Sequence, residues 1–474
     1  MDKPNMLILM ADQMTCALTG AYGHPVVQTP VLERLCAEGV RFDAAYTPCP
    51  LCTPARSAMF SGRHVSRTRT YDNASVLPSD VPTFAHHLRV AGYQVVASGK
   101  MHFVGADQHH GLEARLTPDI YPADFSWTPQ DEEYAAPDER SGRKAIAAMD
   151  AGPCEWSDQL SYDEDVHARA LEFLRGWSGR RPFCLLVSYS HPHPPFLAPR
   201  RLWDLYEGRE IPLPGLTDIA AAERSDMERW LHGFQGLSPA DAADVDFLRR
   251  LHRAYYAMVS YVDEKVGELL GALERSGLRD STAVIFLSDH GSMLGQRRMV
   301  QKRLFYEWSA RVPLIASLPR LWPGGQCVQT PVSLLDLFPT LTDLAQAPAP
   351  LDVDGRSLMP LLAGQPAQDR AVISEYHGEG VPAPCFMVRR GRYKYTCAHG
   401  HGGELFDLAA DPGEANNLAG RPELADVQGE LHAAILERFD PAAIAEDMIR
   451  SRSERLLMRE AMRQGEPTRW DYRP

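Results

Sequence analysis

No apolar run in the 474-residue sequence approaches the length needed to cross a bilayer. No secretory leader is expected: MDKPNMLILMADQ runs straight into a strand pattern, without a basic segment, an apolar stretch and a cleavage site. A cytoplasmic protein with no membrane partner is therefore expected. Positive charge is not in excess. The 49 Lys and Arg are outnumbered by 62 Asp and Glu, for a net charge of −13. That argues against sequence-independent nucleic-acid binding, which needs a basic face. It leaves room for an anionic small molecule, because a few local cations can outweigh the global field. Cysteine is sparse: nine scattered residues, an odd number, fit a reducing compartment better than a disulfide framework. There is no internal repeat or low-complexity segment. Hydrophobic residues at 44% and charged residues at 23% are those of an ordinary globular enzyme.

Four short apolar runs end in chemically capable residues. Met6–Met10 leads into Asp12-Gln13, and Tyr93–Ala97 into Ser98-Gly99-Lys100-Met101-His102. Phe183–Val187 leads into SYSHPHPP, and Ala283–Leu287 into Ser288-Asp289-His290-Gly291. Each is too short for a helix and suits a buried central strand. Helical patterns at 29–38, 81–91, 163–176 and 247–277 lie between them. The alternation predicts an α/β fold with a doubly wound, mainly parallel sheet, whose strand ends converge on one edge. Beyond about residue 365, VISEY, CFMVRRG and RYKYTC read as short antiparallel strands, followed by a helix near 422–438. The expected organisation is a catalytic α/β domain over 1–365, a smaller C-terminal α+β domain over 366–440, and a helical, charged tail over 441–474.

Asp12, Gln13, Asp289 and His290 supply hard oxygens and one imidazole at strand ends. That set suits Ca²⁺, Mg²⁺ or Mn²⁺ better than structural zinc, and the imidazole favours Mn²⁺ over Ca²⁺. Taken singly, DQ and DH are turn dipeptides; their joint position after buried strands is the signal. Arg56, Lys100 and Lys302 are candidate cations for an oxyanion ester, although any one of them could be a solvated surface charge. His102 and His193 are candidate proton carriers, and of the close pair His191 and His193 one could be structural. Cys52 stands in both a C-x-x-C with Cys49 and a C-x-P-x-R with Pro54 and Arg56. No second cysteine or histidine pair completes a zinc site, and the flanks do not fit a redox motif opening a thioredoxin-like unit.

With these elements the chain resembles the type I sulfatases of the alkaline phosphatase superfamily. CTPARSAMFSGR matches that family's modification and active-site element, and the likeness runs from NMLILMADQ to DLAADPGEANNLA. The resemblance implies an alkaline-phosphatase-like fold. It implies that a formylglycine-generating maturation enzyme oxidises Cys52, that the hydrated aldehyde attacks sulfur, and that the resulting hemisulfate collapses by elimination. Asp12, Gln13, Asp289, His290 and the modified Cys52 would then hold one divalent metal, Ca²⁺ or Mn²⁺. Arg56 would hold the diol and Lys302 the sulfate. His193 would assist the leaving group, Lys100 and His102 would form the G-K-x-H element that releases sulfate, and Asn73 would contact the substrate oxyanion. Relatives are often dimers or tetramers, so a homo-oligomer is expected.

The stretch from YDNAS to DFSWTP and the WDY tail are similar to choline sulfatases. On that branch Trp127 would face a quaternary ammonium, Glu379 would add a countercharge, and Asp471, from a neighbouring subunit's tail, is a weaker candidate. After Trp127 this sequence departs from that branch: DEEYAAPDERSGRK has lost most of its aromatics and adds Arg143 and Lys144. A different small alkyl or aryl sulfate, including a more anionic one, is then open. The alternative within the superfamily is a phosphonate monoester hydrolase or phosphodiesterase, against which Lys100 and His102 count. Outside hydrolysis stand a thiol-redox enzyme and a non-catalytic binding protein.

Overall fold

The computed structural model describes residues 3–130, 142–215, 224–466 and 469–474. Eight strands form the main sheet: β1 (Asn5–Ala11), β2 (Val40–Phe42), β3 (Gln94–Gly99), β4 (Ala114–Arg115), β5 (Phe183–Ser188), β6 (Thr282–Ser288), β7 (Leu314–Ser317) and β8 (Gln326–Val328). Their order is β8-β2-β7-β6-β1-β5-β3-β4. The four strands expected from the sequence are the adjacent central run β6-β1-β5-β3, paired in parallel. Their carboxyl ends share one edge. The antiparallel β7, which pairs with β6 and β2, was not foreseen.

The central strands are apolar on both faces because helices cover both. Along β1, Leu7, Leu9 and Ala11 join a core with helices Pro30–Ala37, Asp158–Gly176 and Val245–Arg275. Met6, Ile8 and Met10 point the other way, onto helices Phe84–Val90 and Leu337–Leu344. This two-residue alternation inside an uninterrupted apolar run is what a strand buried on both sides requires.

A second sheet has four antiparallel strands: β9 (Val372–Tyr376), β10 (Cys385–Arg390), β11 (Tyr393–Ala398) and β12 (Gly403–Asp407), in that order. The sequence reading found three of them; GELFD supplies the fourth. Cys385 and Met387 of β10 face Leu51 and Ala58 of the catalytic region, while Phe386 and Val388 face Leu431 and Ile435 of helix Ala425–Leu436. The tail forms helix Pro441–Arg463, tied down by Arg455, whose guanidinium donates to both carboxylate oxygens of Asp72 at 2.5 and 2.7 Å. The end of the tail folds onto its own chain. Asp471 accepts from the Ala123 backbone N–H at 3.3 Å, and Trp470 packs on Phe125. Among the described residues no helix is long and apolar enough to cross a membrane.

Candidate active site

The site lies at the carboxyl edge of the central strands, and each strand delivers a residue through a tight turn. After β1, Asp12 is followed by Gln13 in a left-handed conformation, φ 67°. After β3, Gly99 also has positive φ, and a Cβ there would lie 2.0 Å from the Ser188 carbonyl oxygen. Only glycine lets the chain pass β5 at this point, which sets Lys100 and His102 beyond the strand. Asp119 holds the turn by accepting from the Met101 and His102 backbone N–H groups at 2.9 and 2.8 Å, and it pairs with Arg115 at 2.8 Å.

Cys52 opens the buried helix Cys52–Ser61, where unpaired N–H groups and the helix dipole favour negative charge. Its Sγ lies 3.2 Å from His290 Nε2, 3.2 Å from Lys302 Nζ and 3.8 Å from Asp12 Oδ1. Burial pushes the thiol up, but Lys100, then Lys302 and His290, outweigh it and hold it well below the ordinary thiol range. Cys49 is also buried and its thiol is pushed up, chiefly by burial, so the C-x-x-C pair is chemically unequal.

Arg56, one turn along the helix, donates from Nε to Asp289 Oδ2 at 2.9 Å and from Nη1 to Ser188 Oγ at 2.9 Å. Lys100 forms a short ion pair with Asp12, and its ammonium sits 4.3 Å from the centroid of the Tyr121 ring. Lys302 donates to Gln13 Oε1 at 2.8 Å. Donor atoms of Asp12, Cys52, Asp289 and His290 all lie within 4.8 Å of one another and are buried. Two carboxylates, an imidazole and the nearby Gln13 amide form a donor set that fits a hard or borderline divalent cation. Each of the two buried carboxylates already has a cationic partner, Lys100 for Asp12 and Arg56 for Asp289.

His193 is half-buried. Its Nδ1 is 2.6 Å from the Pro194 carbonyl oxygen and 3.1 Å from Tyr121 Oη. A hydrogen on Nδ1 satisfies Pro194 and leaves Nε2 as the second nitrogen available to a ligand. Burial, then Lys302, push the ring down to about 4. The His102 ring is lowered as well, mainly by burial, with Cys52 opposing. His191 is the structural partner of the pair: its Nδ1 is 2.6 Å from buried Asp163.

Asn73 uses Oδ1 to accept from the Thr53 backbone N–H at 3.0 Å, capping the first turn of the Cys52 helix. Trp127 stacks edge-on against His102, with ring centroids 5.5 Å apart. Glu379 accepts from Arg303 Nη2 at 2.6 Å. Asn73, Trp127, His193, Lys302 and Glu379 line one cavity of about 440 Å³. The stretch 131–141, part of the departure noted after Trp127, lies outside the described residues. The sequence reading missed Asp119, Tyr121, Ser188 and Arg303. TPDIYP carries no motif that would have flagged the first two, whereas Arg303 could have been noticed as the neighbour of Lys302.

The sulfatase family model matches residues 4–347, and the C-terminal model of N-sulphoglucosamine sulphohydrolase matches residues 295–440. A choline-sulfatase of Rhizobium meliloti is 41% identical over 497 aligned positions, covering 100% of this chain and 94% of that protein. Among solved structures, one in complex with its substrate D-glucosamine-2-N,6-O-disulfate superposes with a TM-score of 0.73 at 25% identity, covering 94% of this chain and 99% of the other. The phosphonate monoester hydrolase of Agrobacterium radiobacter shares the fold, with a TM-score of 0.75 at 24% identity over 92% of this chain and 95% of the other.

Proposed function

The chain belongs to the sulfatase family and is a sulfuric ester hydrolase; on that premise we propose that it cleaves a small alkyl or aryl sulfate at Cys52, after oxidation of that residue to formylglycine by a maturation enzyme. The observation that supports this best is the surroundings of the Cys52 sulfur: His290 and Lys302 each at 3.2 Å, at a buried helix N-terminus. A divalent ion, Ca²⁺ or Mn²⁺, held by Asp12, Gln13, Asp289 and His290 together with the modified Cys52, supplies Lewis-acid charge there. The hydrated formylglycine supplies the nucleophilic hydroxyl.

The remaining work falls to fixed side chains. Arg56 is immobilised by Asp289 and Ser188 and holds residue 52 in place. Lys302 and Lys100 neutralise the sulfate oxygens as charge builds. Nε2 of His193 gives its proton to the leaving oxygen; the negative charge of a bound ester opposes the depression of that ring's proton affinity. His102 takes the proton whose loss regenerates the resting group and frees sulfate. Asn73, Trp127 and Glu379 contact the ester around this centre.

The test is the mass of the tryptic peptide containing Cys52, from active protein made in its native host. Oxidation of the thiol to the aldehyde lowers that mass by about 18 Da. An unmodified thiol in active protein would overturn the nucleophile assignment.

A further inference from the structure

Tyr121 lies where two elements of the site meet. Its ring faces the Lys100 ammonium, 4.3 Å from the centroid. The same ring packs, tilted, on His102 and on Trp127, with centroids 4.8 and 4.7 Å apart. Its phenol oxygen is 3.1 Å from Nδ1 of His193. Lys100 and His102 follow β3, whereas His193 follows β5. Tyr121 belongs to neither strand. It comes from the loop that carries Asp119, and its N–H donates to Asp119 Oδ1 at 3.4 Å.

Two acceptors meet Nδ1 of His193, and they constrain the ring differently. The Pro194 carbonyl oxygen, 2.6 Å away, can only accept, so Nδ1 carries the hydrogen. This acceptor belongs to the next residue and moves with the same loop. Gln159 Nε2 donates to the His193 carbonyl at 2.8 Å, but that bond fixes the backbone and not the side-chain torsions. Tyr121 Oη is the second acceptor and comes from a separate segment. Its own place is set by the contacts of its ring with Lys100, His102 and Trp127. Burial pushes the phenol up, so it stays a neutral hydroxyl. His193 lines the cavity beside Cys52, with Nε2 as the nitrogen left for a ligand.

We propose that Tyr121 is a positioning residue for the leaving-group acid: its hydroxyl fixes the plane of the His193 imidazole relative to Lys100 and His102, so that Nε2 meets the leaving oxygen of the ester. This rests on the sulfatase reading above, with His193 as the acid. As the S–O bond breaks, its electron pair goes to the leaving oxygen. An alkoxide needs the Nε2 proton at that moment, whereas a nitrophenolate leaves without one. A misplaced imidazole therefore costs an alkyl sulfate more than nitrophenyl sulfate.

The test is Tyr121→Phe in the holoenzyme, which keeps the ring contacts and removes only the hydroxyl. kcat/KM for choline sulfate, an alkyl ester, should fall about fivefold to tenfold, the worth of one hydrogen bond. That for para-nitrophenyl sulfate should fall less than about twofold. His193→Ala should lower choline sulfate turnover by about 10²-fold or more. In that background the effect of Tyr121→Phe should vanish, because the hydroxyl acts through the imidazole. Equal losses on both esters in Tyr121→Phe, no loss on either, or a loss that persists without His193 would each overturn the proposal. A crystal structure of Tyr121→Phe reads the same point without turnover. The His193 ring should turn or occupy two orientations, and an unmoved ring would overturn the role of Tyr121. If neither ester were cleaved, or His193→Ala lost both equally, the catalytic reading would fail alone, and the ring orientation would still decide whether Tyr121 positions His193.

Discussion

The ammonium of Lys302 stands 3.2 Å from the sulfur of Cys52, across 250 residues of chain, and is held there by the Gln13 side-chain oxygen at 2.8 Å. Burial lowers its proton affinity, while Cys52 and Asp12 oppose that effect. Burial is the larger effect, so the proton affinity of this ammonium is lowered overall. Lys302→Ala should lower kcat/KM for sulfate esters by about 10²–10³-fold, the loss seen when one preorganised charge stabiliser is removed. Steady-state kinetics on the purified variant measure this, and a loss below threefold would remove Lys302 from the mechanism.

Asp119 gathers two backbone N–H groups and the Arg115 guanidinium on one carboxylate. It holds His102 at φ 57°, a conformation that needs outside support. Asp119→Ala should cost about 3–5 kcal/mol, because the buried Arg115 loses its partner. Urea unfolding measures the stability, and activity should drop even at temperatures where the variant stays folded. Full activity in a folded variant would show that the turn does not depend on Asp119.

Removal of divalent ions should lower both activity and the unfolding midpoint, because an ion bound by the folded protein alone stabilises it. An ion present at a hundred times its dissociation constant contributes about 2.7 kcal/mol. Thermal unfolding with and without chelator, followed by Ca²⁺ or Mn²⁺ addition, reads both the loss and the preferred ion. An unchanged midpoint would argue against the four-residue donor set.

Glu404 offers a test of pH dependence away from the active centre. Burial, then the neighbouring charge of Glu228, raise its carboxyl to about 7, against the opposing Arg297 and Tyr306. A folded-state value above the unfolded one means that the folded protein binds the proton more tightly. The resulting stability is fully present below the ordinary carboxyl range and is lost as pH rises toward about 7. Glu404→Gln should therefore narrow the difference in unfolding free energy between pH 5 and pH 8 relative to the unmodified protein. Identical pH profiles for the two proteins would contradict the assignment.

The catalytic elements were legible because their signals are local. Each of the four apolar runs is a strand in the structure, and Asp12, Lys100, His193 and Asp289 follow within a few residues of their ends. The C-x-P-x-R spacing needs no tertiary knowledge, because Cys52, Pro54 and Arg56 occupy the first turns of one helix. Strand β7 was missed because LIAS is four residues long and its antiparallel placement depends on its neighbours β6 and β2.

The amino-acid order by itself determined the sheet type, the carboxyl-edge site and the family resemblance, since periodicity and short spacings survive without coordinates. Only the tertiary structure decided that Tyr121 lies beneath Lys100, that Asp119 braces His102, and that Arg459 of the tail shares a cavity with Lys144. Those juxtapositions depend on sheet register and on how distant segments pack, and such long-range contacts leave no periodic trace in the chain.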